Sequence, residues 1–298
     1  MGGYFGARLA QGGCEVGFVA RGPHLAAIRD VGLRIESQLG DFVLSNVSVS
    51  DDPTVFGIPD FIFLCVKLWD TEDALRAIAP IVGANTTIIS FQNGVQKDDL
   101  LRGTFGERSV VGGVGYIGSN VPRPGVIHHT GTMQGLAFGE YDGTRSQRVV
   151  SLREACLRGG IDAEIAGDIR RTIWEKFVFL VGLSGTTTAM RTTLGPIRSN
   201  PQTRNFLLDV MREVVSVGKA HAVQLADNYA EQRMAFVDGL PADMDSSMHA
   251  DLQRNRRLEV KWLSGAVVDL GKTMGVPTPV NRAICDVLAL HATGPQNV

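Results

Sequence analysis

The chain has 298 residues, 44% of them hydrophobic and 20% charged, which is typical of a globular protein long enough for two domains. Its 29 Lys and Arg and 31 Asp and Glu give a net charge of −2, which argues against a nucleic-acid partner. The longest apolar runs, 61–66 and 177–182, are far shorter than the roughly 20 residues that cross a bilayer, and the N-terminus lacks a secretory signal pattern. We therefore expect a cytoplasmic protein with no membrane partner.

The cysteines and histidines indicate no metal site. The cysteines lie far apart, at Cys14, Cys65, Cys156 and Cys285, without a C-x-x-C motif, and the histidines lack a ligand spacing. We expect reduced thiols and no bound metal.

The first half of the chain alternates short β-rich runs with helical stretches, a pattern typical of a parallel sheet covered on both faces. The expected strands are 15–20, 60–66, 86–90, 109–111 and 163–165, with helices at 24–30 and 70–81. Polar alternation in 125–129 and 135–138 predicts antiparallel strands near the sheet edge.

From Asp168 onward the apolar residues repeat with a period near 3.6, which indicates helices. The predicted helices cover roughly 169–190, 202–225, 228–237, 246–271 and 279–293. The change in pattern near Gly167 predicts a Rossmann-like, mostly parallel α/β domain at 1–167 and an all-α domain at 168–298.

The start of the chain resembles part of a dinucleotide-binding motif. A glycine turn at Gly2 opens a short helix, and Arg21 ends the strand that follows, at the spacing between such a turn and the residue that contacts the adenosine ribose. An arginine there can donate to a ribose 2′-phosphate, which favours NADPH over NADH. The first strand of the motif would lie upstream of Met1, so we expect this domain to be N-terminally incomplete. Alternatively, the early glycines serve helix packing alone.

Six motifs in order resemble the 2-dehydropantoate 2-reductase (ketopantoate reductase) family over nearly the whole chain. They are 2–6 (GGYFG), 19–22 (VARG), 66–69 (VKLW), 91–95 (FQNGV), 174–177 (WEKF) and 246–252 (SSMHADL), with Glu259 beyond. The resemblance implies NADPH-dependent reduction of a 2-keto acid in the cleft between the two domains, a role in pantothenate biosynthesis and a homodimer.

Lys67 and Asn93 follow two predicted strands, at the sheet edge where α/β proteins bind ligands. Without the resemblance, Lys67 would be interpreted as a solvated loop lysine and Asn93 as a residue of a tight turn. The resemblance implies that Lys67 contacts the cofactor and that Asn93 contacts both cofactor and substrate.

Lys176 lies on the first helix of the second half, beside Trp174 and Phe177. Apolar neighbours lower the pKa of an ammonium group, so a lysine in such surroundings can act as a general acid near neutral pH. The alternative is a helix lysine that extends to solvent. The resemblance implies the general acid.

Asp245, Ser246 and Ser247 open the helix predicted at 246–271, so either of the first two could cap it while Ser247 faces a ligand. Glu259, on the same predicted helix, would otherwise form surface ion pairs with the nearby arginines. The resemblance implies that Ser247 binds the substrate carboxylate and that Glu259 acts in catalysis, contacting the substrate hydroxyl and Lys176.

The chain also departs from the family. The best-known reductases carry substrate-binding asparagines at the positions of Leu180 and Ser184, which share a helix face with Lys176. We expect Ser184 to line a substrate pocket that is less polar than theirs. The alternatives to a ketopantoate-type reductase are a related 3-hydroxyacid-type dehydrogenase and a non-catalytic nucleotide-binding protein of the same fold.

Overall fold

The structure is a computed structural model that describes residues 1–295. The chain divides into two compact units, the first formed by Met1–Gln92 and Lys97–Ile169, the second by Asn93–Gln96 and the chain from Arg170 onward. The first unit is α/β and the second is helical, which confirms the predicted fold class.

The elements of the first unit largely follow the predicted alternation. They are α1 (Gly2–Gln11), β1 (Gly17–Val19), α2 (Gly22–Val31), β2 (Leu33–Ser37), β3 (Phe42–Leu44), β4 (Ser48–Ser50), β5 (Phe61–Leu64), α3 (Thr71–Ile78), β6 (Thr87–Ser90), α4 (Lys97–Phe105), β7 (Val110–Asn120), β8 (Val126–Gly139), α5 (Gln147–Arg158) and β9 (Asp162–Ile165).

Most strands of this unit form one mixed, mainly parallel sheet in the order β3-β2-β8-β7-β6-β5, with β9 also paired to β8. β7 and β8 form a long antiparallel pair, so the two short strands predicted at 125–129 and 135–138 are one continuous strand. β1 pairs in parallel with β4 as a separate two-stranded sheet. β1 and β5 are therefore both edge strands.

Close packing of α1 explains two of the early glycines. A Cβ on Gly6 would lie 2.6 Å from Cε1 of Phe18 in β1, and one on Gly2 would lie 3.0 Å from Cβ of Cys65, just after β5. Burial raises the pKa of the Cys65 thiol to about 11, which keeps it protonated in this apolar contact. The helix thus lies against β1 and the carboxyl end of β5, and a side chain at either glycine would require Phe18 or Cys65 to move.

The second unit contains a helical core. Its helices are α6 (Ile169–Met190), α7 (Leu194–Ser199), α8 (Pro201–Ala220), α9 (Tyr229–Asp238), α10 (Ser247–Gln253), α11 (Ser264–Met274) and α12 (Pro279–Leu288). α6 has the predicted bounds. Across residues 1–295, none of the helices combines the length and apolar character that a membrane span requires.

The continuous helix predicted at 246–271 is wrong. α10 stops at Gln253, a 3-10 turn covers Val260–Trp262, and α11 begins at Ser264. Asn255 takes a φ of 51°, the left-handed conformation that ends an α-helix, while the apolar period continues past it. The periodicity alone could not show this break.

Candidate functional site

In the first unit, Gln92 joins the loops that follow β5 and β6. Its Nε2 donates to the Val66 carbonyl (2.9 Å) and to Oγ1 of Thr71 (2.8 Å), and its Oε1 accepts from Oγ of Ser90 (3.0 Å). Lys67 follows Val66, with its Nζ 5.4 Å from the Trp69 ring centroid. The backbone that carries this predicted cofactor lysine is thus fixed by a buried amide.

The other predicted cofactor residues of this unit lie at the ends of secondary-structure elements. Gly2 is the first residue of α1, and Arg21 is exposed between β1 and α2. Gly2 contacts Cys65 at the carboxyl end of β5, and Arg21 follows the carboxyl end of β1, on which α1 also packs. Open α/β sheets bind ligands at the carboxyl ends of their strands.

A second lysine of the first unit, Lys97, is fully buried at the start of α4. Its Nζ donates to both carboxylate oxygens of Asp98 (2.9 Å each) and to the carbonyls of Ser90 (2.8 Å) and Gly113 (3.1 Å). Tyr141 donates to Asp98 at 2.6 Å. Burial and the neighbouring carboxylate raise the pKa of Tyr141, so its phenol keeps the proton that it donates. The charges of this pair are compensated within the protein.

Lys176 and Asn93 meet in the second unit. The turn 93–96 groups with the helices, and Lys176 Nζ donates to Oδ1 of Asn93 at 3.1 Å. Lys176 is half-buried on α6, between the buried side chains of Trp174 and Phe177. The structure therefore brings together two of the predicted site residues that lie 83 positions apart.

Leu180 and Ser184 follow Lys176 on the same face of α6, one and two turns further along. Leu180 is half-buried, while Ser184 is 1% exposed. The Ser184 Oγ has no hydrogen-bond partner among the described residues. A buried hydroxyl in this state can still donate to, or accept from, a small polar group that reaches it.

Ser247 is the exposed first residue of α10, and Ser246 caps the helix by accepting from the His249 N–H at 3.1 Å. The cap is therefore Ser246, and the Ser247 side chain is not needed for it. Asp245 instead accepts from the Ser246 N–H and pairs with Nδ1 of His249, both at 2.7 Å.

Glu259 does not share a helix with Ser247, contrary to prediction. It immediately precedes the 3-10 turn 260–262 and is 5% exposed. The surface position expected from a long charged helix is also wrong for this residue, because Glu259 is buried within the second unit. A buried carboxylate is stable only with nearby donors or cations, so Glu259 is a candidate for more than a surface role.

Sequence reasoning assigned no individual role to several buried polar residues around these positions, namely Gln92, Lys97, Thr187 and His249. Gln92 lies inside the quoted motif 91–95, beside Asn93, which offered one signal for it. Lys97 and Asp98 begin a charged helix, so their sequence is indistinguishable from a solvated helix start.

Comparison with known proteins identifies the family. The model for ketopantoate reductase PanE/ApbA matches residues 1–143, and the model for its C-terminal part matches residues 168–292. The chain belongs to the ketopantoate reductase family. This confirms the resemblance found in the sequence motifs and makes the chain a member of an oxidoreductase family.

Individual relatives match over more than nine-tenths of their length. The chain is 31% identical over 307 residues to the 2-dehydropantoate 2-reductase of Mesorhizobium japonicum, covering 95% of this chain and 92% of that protein. The crystal structure of 2-dehydropantoate 2-reductase from Geobacter metallireducens GS-15 matches with 27% identity and a TM-score of 0.89, covering 96% and 95% of the two chains. D-mandelate dehydrogenase, solved with NADH and anilino(oxo)acetate, has a TM-score of 0.89 at 18% identity over 98% and 95% of the chains, which shows the shared fold.

Proposed function

We propose that this protein is an NADPH-dependent reductase of a 2-keto acid, either ketopantoate or a close analogue. The observation that carries the proposal is the hydrogen bond from Lys176 to Asn93, which pairs two family-motif residues in the second unit. Membership of the ketopantoate reductase family and the similarity to 2-dehydropantoate 2-reductases support it.

Lys176 is the general acid of the proposed reaction. Bound NADPH would supply the hydride to the keto carbon. As negative charge develops on the keto oxygen, the Lys176 ammonium donates a proton to it. Asn93 accepts an N–H of Lys176, and this contact helps to orient the ammonium.

The cofactor residues of the proposal lie in the first unit. The close approach of α1 at Gly2, the exposed guanidinium of Arg21 and the position of Lys67 after β5 fit a dinucleotide at the carboxyl edge of the strands. Arg21 would donate to a ribose 2′-phosphate, which is why we propose NADPH over NADH. Lys67 would pair with a second phosphate group, and Asn93 would contact the cofactor as well as the substrate.

The substrate residues of the proposal lie in the second unit. Ser247, exposed at the start of α10, would donate to the substrate carboxylate, and Glu259 would accept from the product hydroxyl and help to keep Lys176 protonated. Ser184 would offer a single hydroxyl to the rest of the substrate. Leu180 favours an apolar substituent there, so 2-keto acids with alkyl side chains are the second candidate substrates.

The direct test is NADPH oxidation followed at 340 nm with ketopantoate and with 2-ketoisovalerate, each repeated with NADH. We expect turnover with NADPH on at least one of the two acids and much weaker turnover with NADH. A protein that binds NADPH tightly and turns over neither acid would instead be a non-catalytic nucleotide-binding protein. Turnover of 3-hydroxyacids alone would indicate the related dehydrogenase class.

A further inference from the structure

A buried chain of hydroxyl groups connects α10 to α6. The Ser246 Oγ lies 2.8 Å from Oγ1 of Thr187, and Thr187 donates to the Leu183 carbonyl at 2.7 Å. Ser246 also accepts from the His249 N–H at 3.1 Å. Thr187 has only one hydroxyl proton, so Ser246 must donate to Thr187. The chain therefore has a single direction, from the His249 amide to the Leu183 carbonyl.

The members of this chain are shielded from water. Thr187 is 0% exposed, His249 3% and Ser246 5%. Asp245 accepts from the Ser246 N–H and, because a carboxylate can only accept, from a protonated Nδ1 of His249. The Ser246–Thr187 hydrogen bond thus links the cap of α10 directly to α6. Without Thr187, the Ser246 proton would lose its acceptor in a site that water does not reach.

The helix at the other end of the chain is the one that carries Lys176. At about 100° per residue, Thr187 lies on the same face of α6 as Lys176 and Ser184. Ser247 directly follows Ser246 and is exposed. The Thr187–Ser246 bond therefore contributes to the position of the Ser247 backbone relative to the helix of the general acid.

We propose that Thr187 is a positioning residue for substrate binding, which acts through Ser246 to place the Ser247 hydroxyl relative to the Lys176 helix. The inference rests on the proposed function, in which Ser247 binds the substrate carboxylate. Under this proposal, Thr187 contacts neither the substrate nor the cofactor and acts only through Ser246.

The test compares Thr187→Val, which keeps the shape and removes the hydroxyl, with Thr187→Ser, which keeps the hydroxyl. Thr186→Val is the matched control, because Thr186 is equally buried and donates to Gly182 within its own helix. We expect Thr187→Val to raise KM for the 2-keto acid about five- to tenfold, the scale of one hydrogen bond, with the Kd of NADPH unchanged. Thr187→Ser should restore KM, and Thr186→Val should leave it unchanged.

A double-mutant cycle separates positioning from general loosening of the fold. In a Ser247→Ala background, Thr187→Val should add little to KM, because the group it positions is gone. An equal rise in KM in both backgrounds, or with Thr186→Val, would overturn the inference.

Amide hydrogen exchange gives a readout that does not depend on turnover. Thr187→Val should speed exchange in peptides covering 246–250, and Thr186→Val should not. If wild type reduces no 2-keto acid, the proposed function fails whatever the exchange shows. If wild type is active but exchange at 246–250 is the same in both variants, the positioning inference alone fails.

Discussion

Lys97 in the sheet unit and Lys176 in the helical unit show two different uses of a lysine. Lys97 is 4% exposed and donates to a carboxylate and two carbonyls, so its hydrogen-bonding capacity is used within the protein. Lys176 is half-buried and meets a neutral amide oxygen on Asn93. Lys97, enclosed by a carboxylate and two carbonyls, supports the structure, whereas the half-buried Lys176, which contacts a second predicted site residue, is the lysine proposed for chemistry.

The same contrast extends to the two units as a whole. The first unit carries the cations proposed to bind cofactor phosphates, and the second carries the groups proposed to bind and protonate the keto acid. Substitutions in the two units should therefore separate effects on stability, cofactor affinity and turnover.

Lys176→Ala should produce the largest change in turnover. Removing the general acid is expected to lower kcat by about 10²–10⁴-fold, because the developing oxyanion then lacks a positioned proton donor. The Kd of NADPH and the free energy of unfolding should stay close to wild type. Loss of cofactor binding with intact turnover at saturating NADPH would contradict the assignment.

Lys97→Met should mainly change stability. Leaving the Asp98 carboxylate buried without its cation is expected to cost about 3–5 kcal/mol of unfolding free energy, measured by urea denaturation. The double variant Lys97→Met with Asp98→Asn is the control, and it should recover much of this loss because no uncompensated charge remains. A loss below about 1 kcal/mol in the single variant would mean that the pair is solvated.

Much of the secondary structure of the two units could be predicted from the sequence, and some of it could not. The bounds of α6 were predicted correctly from the sequence, although a helix buried along most of its length carries only a weak apolar repeat. β3 and β4 were missed because three-residue, mostly half-buried or exposed strands carry little period-two signal. β2 does alternate, with Leu33 and Ile35 buried, but its five residues form only a short run.

The candidate site shows the same limit. Residue identity and order were enough to select Asn93 and Lys176, but their contact depends on tertiary folding across 83 positions. The apolar repeat placed Glu259 on the same predicted helix as Ser247. That helix ends at Gln253, because Asn255 takes a left-handed conformation although the repeat continues. Buried hydrogen-bonded residues such as Thr187 look like ordinary helix residues until their partners are known.

Arg21→Ala should affect only the cofactor, by less than the changes above. Loss of a charge-assisted hydrogen bond is expected to weaken NADPH binding by about 1.5–3 kcal/mol and to change NADH binding little. Arg29→Ala, on helix α2, which begins directly after Arg21, and also solvent-exposed, is the matched control. Equal weakening of both cofactors in titrations would show that Arg21 serves the structure and not the 2′-phosphate.

The smallest expected effect concerns substrate choice in the helical unit. Ketopantoate carries a carboxylate, a ketone and a hydroxyl; Ser247 and Lys176 can meet the first two, while Leu180 offers nothing to the third. A hydroxyl buried without a partner costs about 1–3 kcal/mol, or about 5- to 150-fold in kcat/KM. We therefore expect 2-ketoisovalerate to rival or exceed ketopantoate.

Leu180→Asn tests the cause of this preference, because it adds an amide at the position where the best-known reductases of the family carry one. The ratio of kcat/KM for ketopantoate over 2-ketoisovalerate should rise by about fivefold or more in this variant, the lower end of the hydroxyl penalty. Leu180→Met, which keeps an apolar side chain of similar volume, should leave the ratio near wild type. A wild-type preference for ketopantoate of about a hundredfold would contradict the prediction, because a penalty of that size could be avoided only if another group, with the buried Ser184 hydroxyl as the first candidate, already bonds the substrate hydroxyl.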